Sequence, residues 1–83
     1  MEREEALGAI RDVAVEVLSV GPDAVVESAR FAEDLDADSL DLVELVMGLE
    51  ERFDVSIPEE DLDGIATVGH AVDLVLSKLS QRA

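Results

Sequence analysis

Asp38-Ser39-Leu40-Asp41-Leu42-Val43-Glu44-Leu45-Val46-Met47-Gly48-Leu49-Glu50-Glu51-Arg52-Phe53 is the stretch that decides the fold. Asp38 is a good N-cap, and Asp41 follows it at the spacing of a capping box. From Ser39 to Phe53 the residues Leu42, Leu45, Val46, Leu49 and Phe53 recur at helical spacing, which predicts one buried stripe. A second face carries Asp41, Glu44, Gly48, Glu51 and Arg52. Leu40, Val43 and Met47 lie at the border, again at helical spacing. This helix has more apolar surface than one core face requires, so part of it is expected to meet a partner.

On the N-terminal side, residues 3–18 read as a second amphipathic helix with Leu7, Ile10, Ala14, Val17 and Leu18 on one face. Gly21-Pro22 breaks that pattern. Residues 19–37 then form a long connection whose Val20, Val25, Val26, Phe31 and Leu35 are too apolar for a solvated loop, so they are expected to lie over the helices. On the C-terminal side, Asp54-Val55-Ser56-Ile57-Pro58 ends the central helix. Pro58 suits the first turn of a short helix through about Leu62, closed by Gly64. Thr67 can cap a last helix from Val68 to about Leu79, with Val68, Ala71, Val72, Val75 and Leu79 buried. No strand-like alternation and no internal repeat is present. The predicted fold is all-α: a small four-helix bundle of three longer helices and one short one, with a long first loop, as a single domain over residues 1–83.

Composition narrows the function. A chain of 83 residues makes one small domain with a thin core and little room for a deep, dry catalytic pocket. No apolar run can span a bilayer, and the mixed-charge N-terminus shows no secretory signal. With no cysteine, disulfides, thiolate metal sites and cysteine nucleophiles are excluded, and a cytoplasmic setting is compatible. Twenty-one acids face six bases, for a net charge of −15. Nucleic acid and anionic membrane surfaces repel such a chain, so its partners are expected to present Lys/Arg patches.

Chemistry concentrates between Glu33 and Glu44, where six acids stand with no base. No Lys, Arg or His occurs between Phe31 and Glu51, and Ser39 sits in the midst of the acids. A nucleophilic serine would need a nearby base and an oxyanion hole, but the single histidine, His70, is in another helix and no G-x-S-x-G elbow exists. Asp34-x-Asp36-x-Asp38 matches the start of a calcium loop. The match then fails at Ser39, where glycine is needed, at Asp41, where an apolar residue belongs, and at Leu45, where glutamate belongs. A plain capped helix explains Asp38 and Asp41 through the helix dipole, but not the acids that continue to Glu50 and Glu51 beside Leu40 and Met47. A further reading, beside the capped helix and a weak divalent site drawn by charge density alone, is a covalent attachment site. A small hydroxyl at a helix start is reachable by a modifying enzyme, and the flanking acids offer docking points to a basic surface.

Asp38-Ser39-Leu40 resembles the D-S-L attachment motif of the acyl carrier protein family. The string from Phe31 to Glu60 resembles the bacterial fatty-acid-synthase carriers in particular, with V-E-L-V-M, E-E-x-F and I-P following D-S-L at matching spacings. The likeness is dense from Phe31 to about Val72. It implies a four-helix fold and a 4′-phosphopantetheine arm on Ser39, flanked by Asp38 and Leu40. A separate phosphopantetheinyl transferase adds the arm from coenzyme A, and growing acyl chains ride on its thiol as thioesters. The resemblance also implies partner contacts at Asp41, Val43, Glu44, Met47, Glu50 and Glu51, and a core or acyl-cavity lining at Leu45, Val46, Leu49, Phe53 and Ile65. It further implies a monomer that is not an enzyme and that serves fatty acid synthesis enzymes. A discrete polyketide or other specialised lipid carrier is the neighbouring reading, and an unmodified acidic interaction module the rival of another class. Two positions depart from the family. Asp36 stands where many members have Gly, so the turn before Ser39 is expected to differ slightly. Gly48 replaces a more usual small helix former. His70 reads as a solvated first-turn residue with no role.

Overall fold

The computed structural model describes residues 2–81, which form three α-helices, α1 (Arg3–Leu18), α2 (Ser39–Phe53) and α3 (Val68–Ser80). A 3₁₀ turn, Pro22–Ala24, lies in the first connection, and a 3₁₀ helix, Glu59–Gly64, lies between α2 and α3. The expected bundle of three longer helices and one short one is present. The only strand-like pairing among the described residues is an isolated bridge, Arg30 with Thr67.

The central helix forms as its sequence dictates. The Asp38 carboxylate accepts from the Asp41 N–H, the Asp41 carboxylate accepts from the Asp38 N–H, and the helix starts at the next residue, Ser39. It ends where Asp54 turns left-handed, at φ 55°. Leu45, Val46, Leu49 and Phe53 are buried; Leu42, the fifth residue of the expected stripe, is half-buried.

α1 buries a different face from the one its large residues suggest. Ala6, Ala9, Ile10, Val13 and Ala14 are buried, while Leu7, Val17 and Leu18 sit at the fringe of the core. This helix packs against both α2 and α3, which touch each other little. Small residues on its inner face let two neighbours approach at once, and the bulkier side chains cover the edges. Gly48 of α2 belongs to this contact: a Cβ there would lie 2.7 Å from Val13 Cγ1. Its small size thus serves packing within the chain, against the expectation that it sits on the outer face.

The remaining differences are local. Pro58 is not inside the short helix. It precedes it in an extended conformation, φ −67° and ψ 154°, and the helix runs to Gly64. Proline fixes φ but not ψ, so its fit to a first helical turn did not decide the boundary. No residue of the 3₁₀ helix is fully buried, which leaves little packing to favour a regular α-helix there. α3 begins at Val68 behind the Thr67 cap as expected and runs one residue past Leu79, which is half-buried, not core.

The long connection is fastened at several points. Val25, Ala29, Phe31, Leu35 and Ala37 are buried, Val20 is half-buried, and Val26 alone of the expected apolar set is exposed, at 44%. Arg11 of α1 donates from Nε and Nη2 to the Val25 carbonyl. The connection also pairs with the start of α3, where the Val68 and Gly69 N–H groups donate to the Ala29 and Glu27 carbonyls, each at 2.9 Å. Gly69 eases this approach, because a Cβ there would lie 3.1 Å from the Glu27 carbonyl oxygen, a tight contact.

Candidate functional site

The site is the start of α2 and the turn that leads into it. From Arg30 the chain doubles back tightly. The Asp34 and Leu35 N–H groups donate to the Arg30 carbonyl at 2.8 and 3.1 Å, and the Ala37 N–H donates to the Phe31 carbonyl at 2.8 Å. The Asp34 carboxylate closes the same turn, accepting from the Arg30 backbone N–H at 2.7 Å and from its guanidinium, which also pairs with Glu33. The Arg30 side chain, then its backbone N–H, hold the Asp34 carboxyl below the usual aspartate range. Leu35 and Ala37 turn inward between exposed neighbours. Asp36 must then take φ 55°, a left-handed conformation that glycine adopts freely and aspartate only at a cost. The turn expected to differ slightly before Ser39 therefore keeps the glycine-like backbone with a carboxylate added.

Ser39 is exposed at the first residue of α2, one residue past the cap. Its position follows from the cap: the pairing of Asp38 with Asp41 sets where the helix begins and leaves the hydroxyl on the outside. Leu40 beside it is 74% exposed, and Met47 and Val43 further along are 59% and 37% exposed. These three form an apolar strip flanked by the exposed Glu44 and Glu51. Glu50 is half-buried, and its Oε2 accepts from the Ile57 N–H at 2.9 Å, which ties the loop after α2 back onto the helix.

The described bases form their ion pairs with other acids. Arg3 pairs with Glu27 and Asp73, Arg30 with Glu33 and Asp34, Arg52 with Asp12, and Lys78 with Asp61. Among the described residues no ion pair involves Asp41, Glu44, Glu50 or Glu51. The outer face of α2 is thus an apolar strip set in uncompensated negative charge, a surface suited to a basic partner.

Two hollows adjoin α2. One, of about 190 Å³, is lined by Val43, Val46, Met47, Glu50, Ile57, Glu59 and Leu62, between α2 and the 3₁₀ helix. The other, of about 430 Å³, lies against α1 and is lined by Asp12, Val13, Val15, Glu16, Pro22 and Arg52. Arg52 is roughly 20 Å along the helix from Ser39, so only the smaller hollow adjoins the part of α2 near the hydroxyl. Leu45, Val46, Leu49, Phe53 and Ile65, expected in the core or at a cavity, are all buried, and Val46 also lines the smaller hollow. Ile57 and Leu62, on the wall opposite α2, were not singled out by sequence. Their only signal is an isolated apolar residue on each side of Pro58, without the periodicity that marks a helix face.

His70 does more than sequence suggested. It is exposed, but its Nδ1 accepts from the Ala66 and Thr67 N–H groups while the Thr67 hydroxyl accepts from the His70 N–H. The spacing Thr-x-x-His is that of a capping box with imidazole in the place of a carboxylate, and that spacing was the available signal. Among the described residues no group of three or more metal-ligating side chains converges, and no helix is long and apolar enough to cross a membrane.

The family model described as a phosphopantetheine attachment site matches residues 8–75. The chain is similar to an acyl carrier protein of Sulfurovum sp. (strain NBC37-1), 54% identical over 66 residues, covering 80% of this chain and 88% of that one. It is similar to an acyl carrier protein of Wolinella succinogenes at 57% identity over 63 residues, 76% of this chain and 83% of the relative. An acyl carrier protein of Thermosynechococcus vestitus is 45% identical over 80 residues, 96% of this chain and 99% of its own length.

Proposed function

The chain belongs to the acyl carrier protein family, whose members carry acyl groups on a covalent 4′-phosphopantetheine, and from that premise we propose that Ser39 bears the arm. The observation that carries this reading is the exposed Ser39 hydroxyl at the first residue of α2. When bound, the group supplies a terminal thiol that holds an acyl chain as a thioester. The cysteine-free chain has no thiol of its own.

The chain's own residues do three things. Asp38 and Asp41 fix the start of α2 and so fix where the hydroxyl is presented. The positive end of the helix dipole favours a phosphate there. The neighbouring carboxylates oppose it, at an exposed position where water and salt screen both effects. Val43, Val46, Met47, Ile57 and Leu62 line a hollow that shelters apolar cargo, and Leu40, Val43 and Met47 with Asp41, Glu44, Glu50 and Glu51 form the docking face.

Bond-making is left to partners. The transferase brings coenzyme A, and the Ser39 oxygen takes the phosphopantetheine from it as the adenosine bisphosphate leaves. Residues 1–83 act as one cytoplasmic carrier domain. It serves fatty acid synthesis enzymes with basic docking patches, a pathway supported by the dense likeness to the bacterial fatty-acid-synthase carriers. Incubation with a phosphopantetheinyl transferase and coenzyme A should add about 340 Da, the mass of one arm. Ser39→Ala should fold and gain nothing. Addition to the alanine variant, or none to the parent under conditions that load a known carrier, would refute the assignment.

A further inference from the structure

The chain has one histidine, and its ring accepts from the backbone. The Ala66 and Thr67 N–H groups both donate to His70 Nδ1, at 3.1 and 3.3 Å. A ring nitrogen can accept these two bonds only while it carries no proton. A proton on Nδ1 would turn an acceptor into a donor facing two donors. It would also put positive charge at the positive end of α3.

The charged groups to weigh around this helix are Glu27 and Arg30 of the connection, Asp63 of the 3₁₀ helix, Asp73 of α3 itself, and Arg3, Glu4 and Glu5 at the start of α1, which packs against α3. Arg3 pairs with Glu27 and Asp73, and Glu33 and Asp34 pair with Arg30. Among the described residues none of these groups forms an ion pair with His70, so none offers an imidazolium a direct partner.

The peptides that His70 holds also anchor the turn ahead of Ser39. The Phe31 N–H donates to the Ala66 carbonyl at 3.0 Å, and the Ala37 N–H donates to the Phe31 carbonyl at 2.8 Å. Ala37 is buried and directly precedes Asp38, the cap of α2. The links run without a gap: His70 ring, Ala66 peptide, Phe31 peptide, Ala37 peptide, Asp38 cap, Ser39.

We infer that His70 is a positioning residue for Ser39. The Nδ1 acceptor pins the Ala66–Thr67 peptides, and through them the turn that presents the hydroxyl; loss of that acceptor loosens the turn. The relay stands on the hydrogen bonds alone, while its effect on arm attachment rests on the reading of Ser39 above.

The test uses the unmodified full chain and its His70→Gln and His70→Ala variants at about pH 7.5 and about pH 5.5, either side of the ordinary histidine range. Glutamine is a capping-box residue that accepts at both. The parent and His70→Gln should melt together at the higher pH, and the parent should melt about 4 °C lower at the acid one, the scale of a lost cap. At acid pH the Ala37 amide should exchange faster in the parent than in His70→Gln by a clearly larger factor than the Ala14 amide of α1, which follows the global loss of about fivefold. Arm addition should be slower in the parent than in His70→Gln at acid pH only. His70→Ala should show the losses at both pH values. The inference is overturned if parent and His70→Gln behave alike at acid pH. It is equally overturned if the Ala37 and Ala14 amides speed up by the same factor, which would make His70 an ordinary stabiliser. Should no variant accept an arm at any pH, the reading of Ser39 fails, and the amide exchange still decides the relay.

Discussion

Asp36 holds a left-handed backbone at φ 55°, three residues before Ser39. An L-residue adopts this conformation at a cost that glycine escapes, although glycine loses more freedom on folding. Asp36→Gly should therefore raise thermal stability by at most about 1 kcal/mol, read as an increase of a few degrees in the melting midpoint. A lower midpoint would show that the carboxylate makes a contact worth more than the strain. Asp34 sits in the same turn with the opposite economy. Arg30 holds its carboxyl below the ordinary range in the folded chain, so its contribution is complete above the unfolded value and is lost as pH falls through the folded one. Asp34→Asn should flatten the loss of stability on acidification below about pH 4, measured against the parent. An equally steep loss in the variant would remove Asp34 from the account. Sequence marked Asp36 as a departure because glycine is common there, but the closure of the turn by Asp34 left no trace in it. That closure depends on where the Arg30 N–H points, which only the folded turn determines.

Among the elements, α2 was legible to the residue at both ends. A capping box starts it, and its stripe of large apolar residues faces one way. α1 was not legible at the same level, because its inner face is built of alanines and its largest residues sit at the edges. Ranking by hydrophobicity picks Leu7, Val17 and Leu18, whereas the packing of one helix against two neighbours selects for small volume. Gly48 shows the same physics from the other side. Alanine there gains about 1 kcal/mol of helix propensity, but its Cβ would meet Val13 Cγ1, and valine in a helix has little rotamer freedom to yield. Overpacking of this kind costs about 1–3 kcal/mol, so Gly48→Ala should destabilise the chain on balance. In a Val13→Ala background the same substitution should become stabilising, since only the propensity gain is left. A thermal double-mutant cycle checks this, and a stabilised single variant would mean that α1 and α2 can part without cost.

For the whole molecule, charge is the dominant fact. With a net −15, and the described bases committed to ion pairs or to the Val25 carbonyl, the remaining carboxylates repel one another in the folded chain more than in the open coil. Raising sodium chloride from about 10 to about 150 mM shortens the screening length from roughly 30 to 8 Å and should raise the melting midpoint. A midpoint independent of salt would mean that the acids are too well separated to matter. The same excess charge leaves the outer face of α2 strongly negative, and the proposed docking of basic partners rests on it. The central claim is that this face is addressed to a single hydroxyl. After treatment with the transferase and coenzyme A, tryptic digestion isolates residues 31–52, a peptide in which Ser39 is the only hydroxyl. Mass analysis of the digest should place the whole added arm on that peptide and leave every other serine and threonine peptide unchanged. An arm found on any other peptide, with residues 31–52 unmodified, would contradict the account.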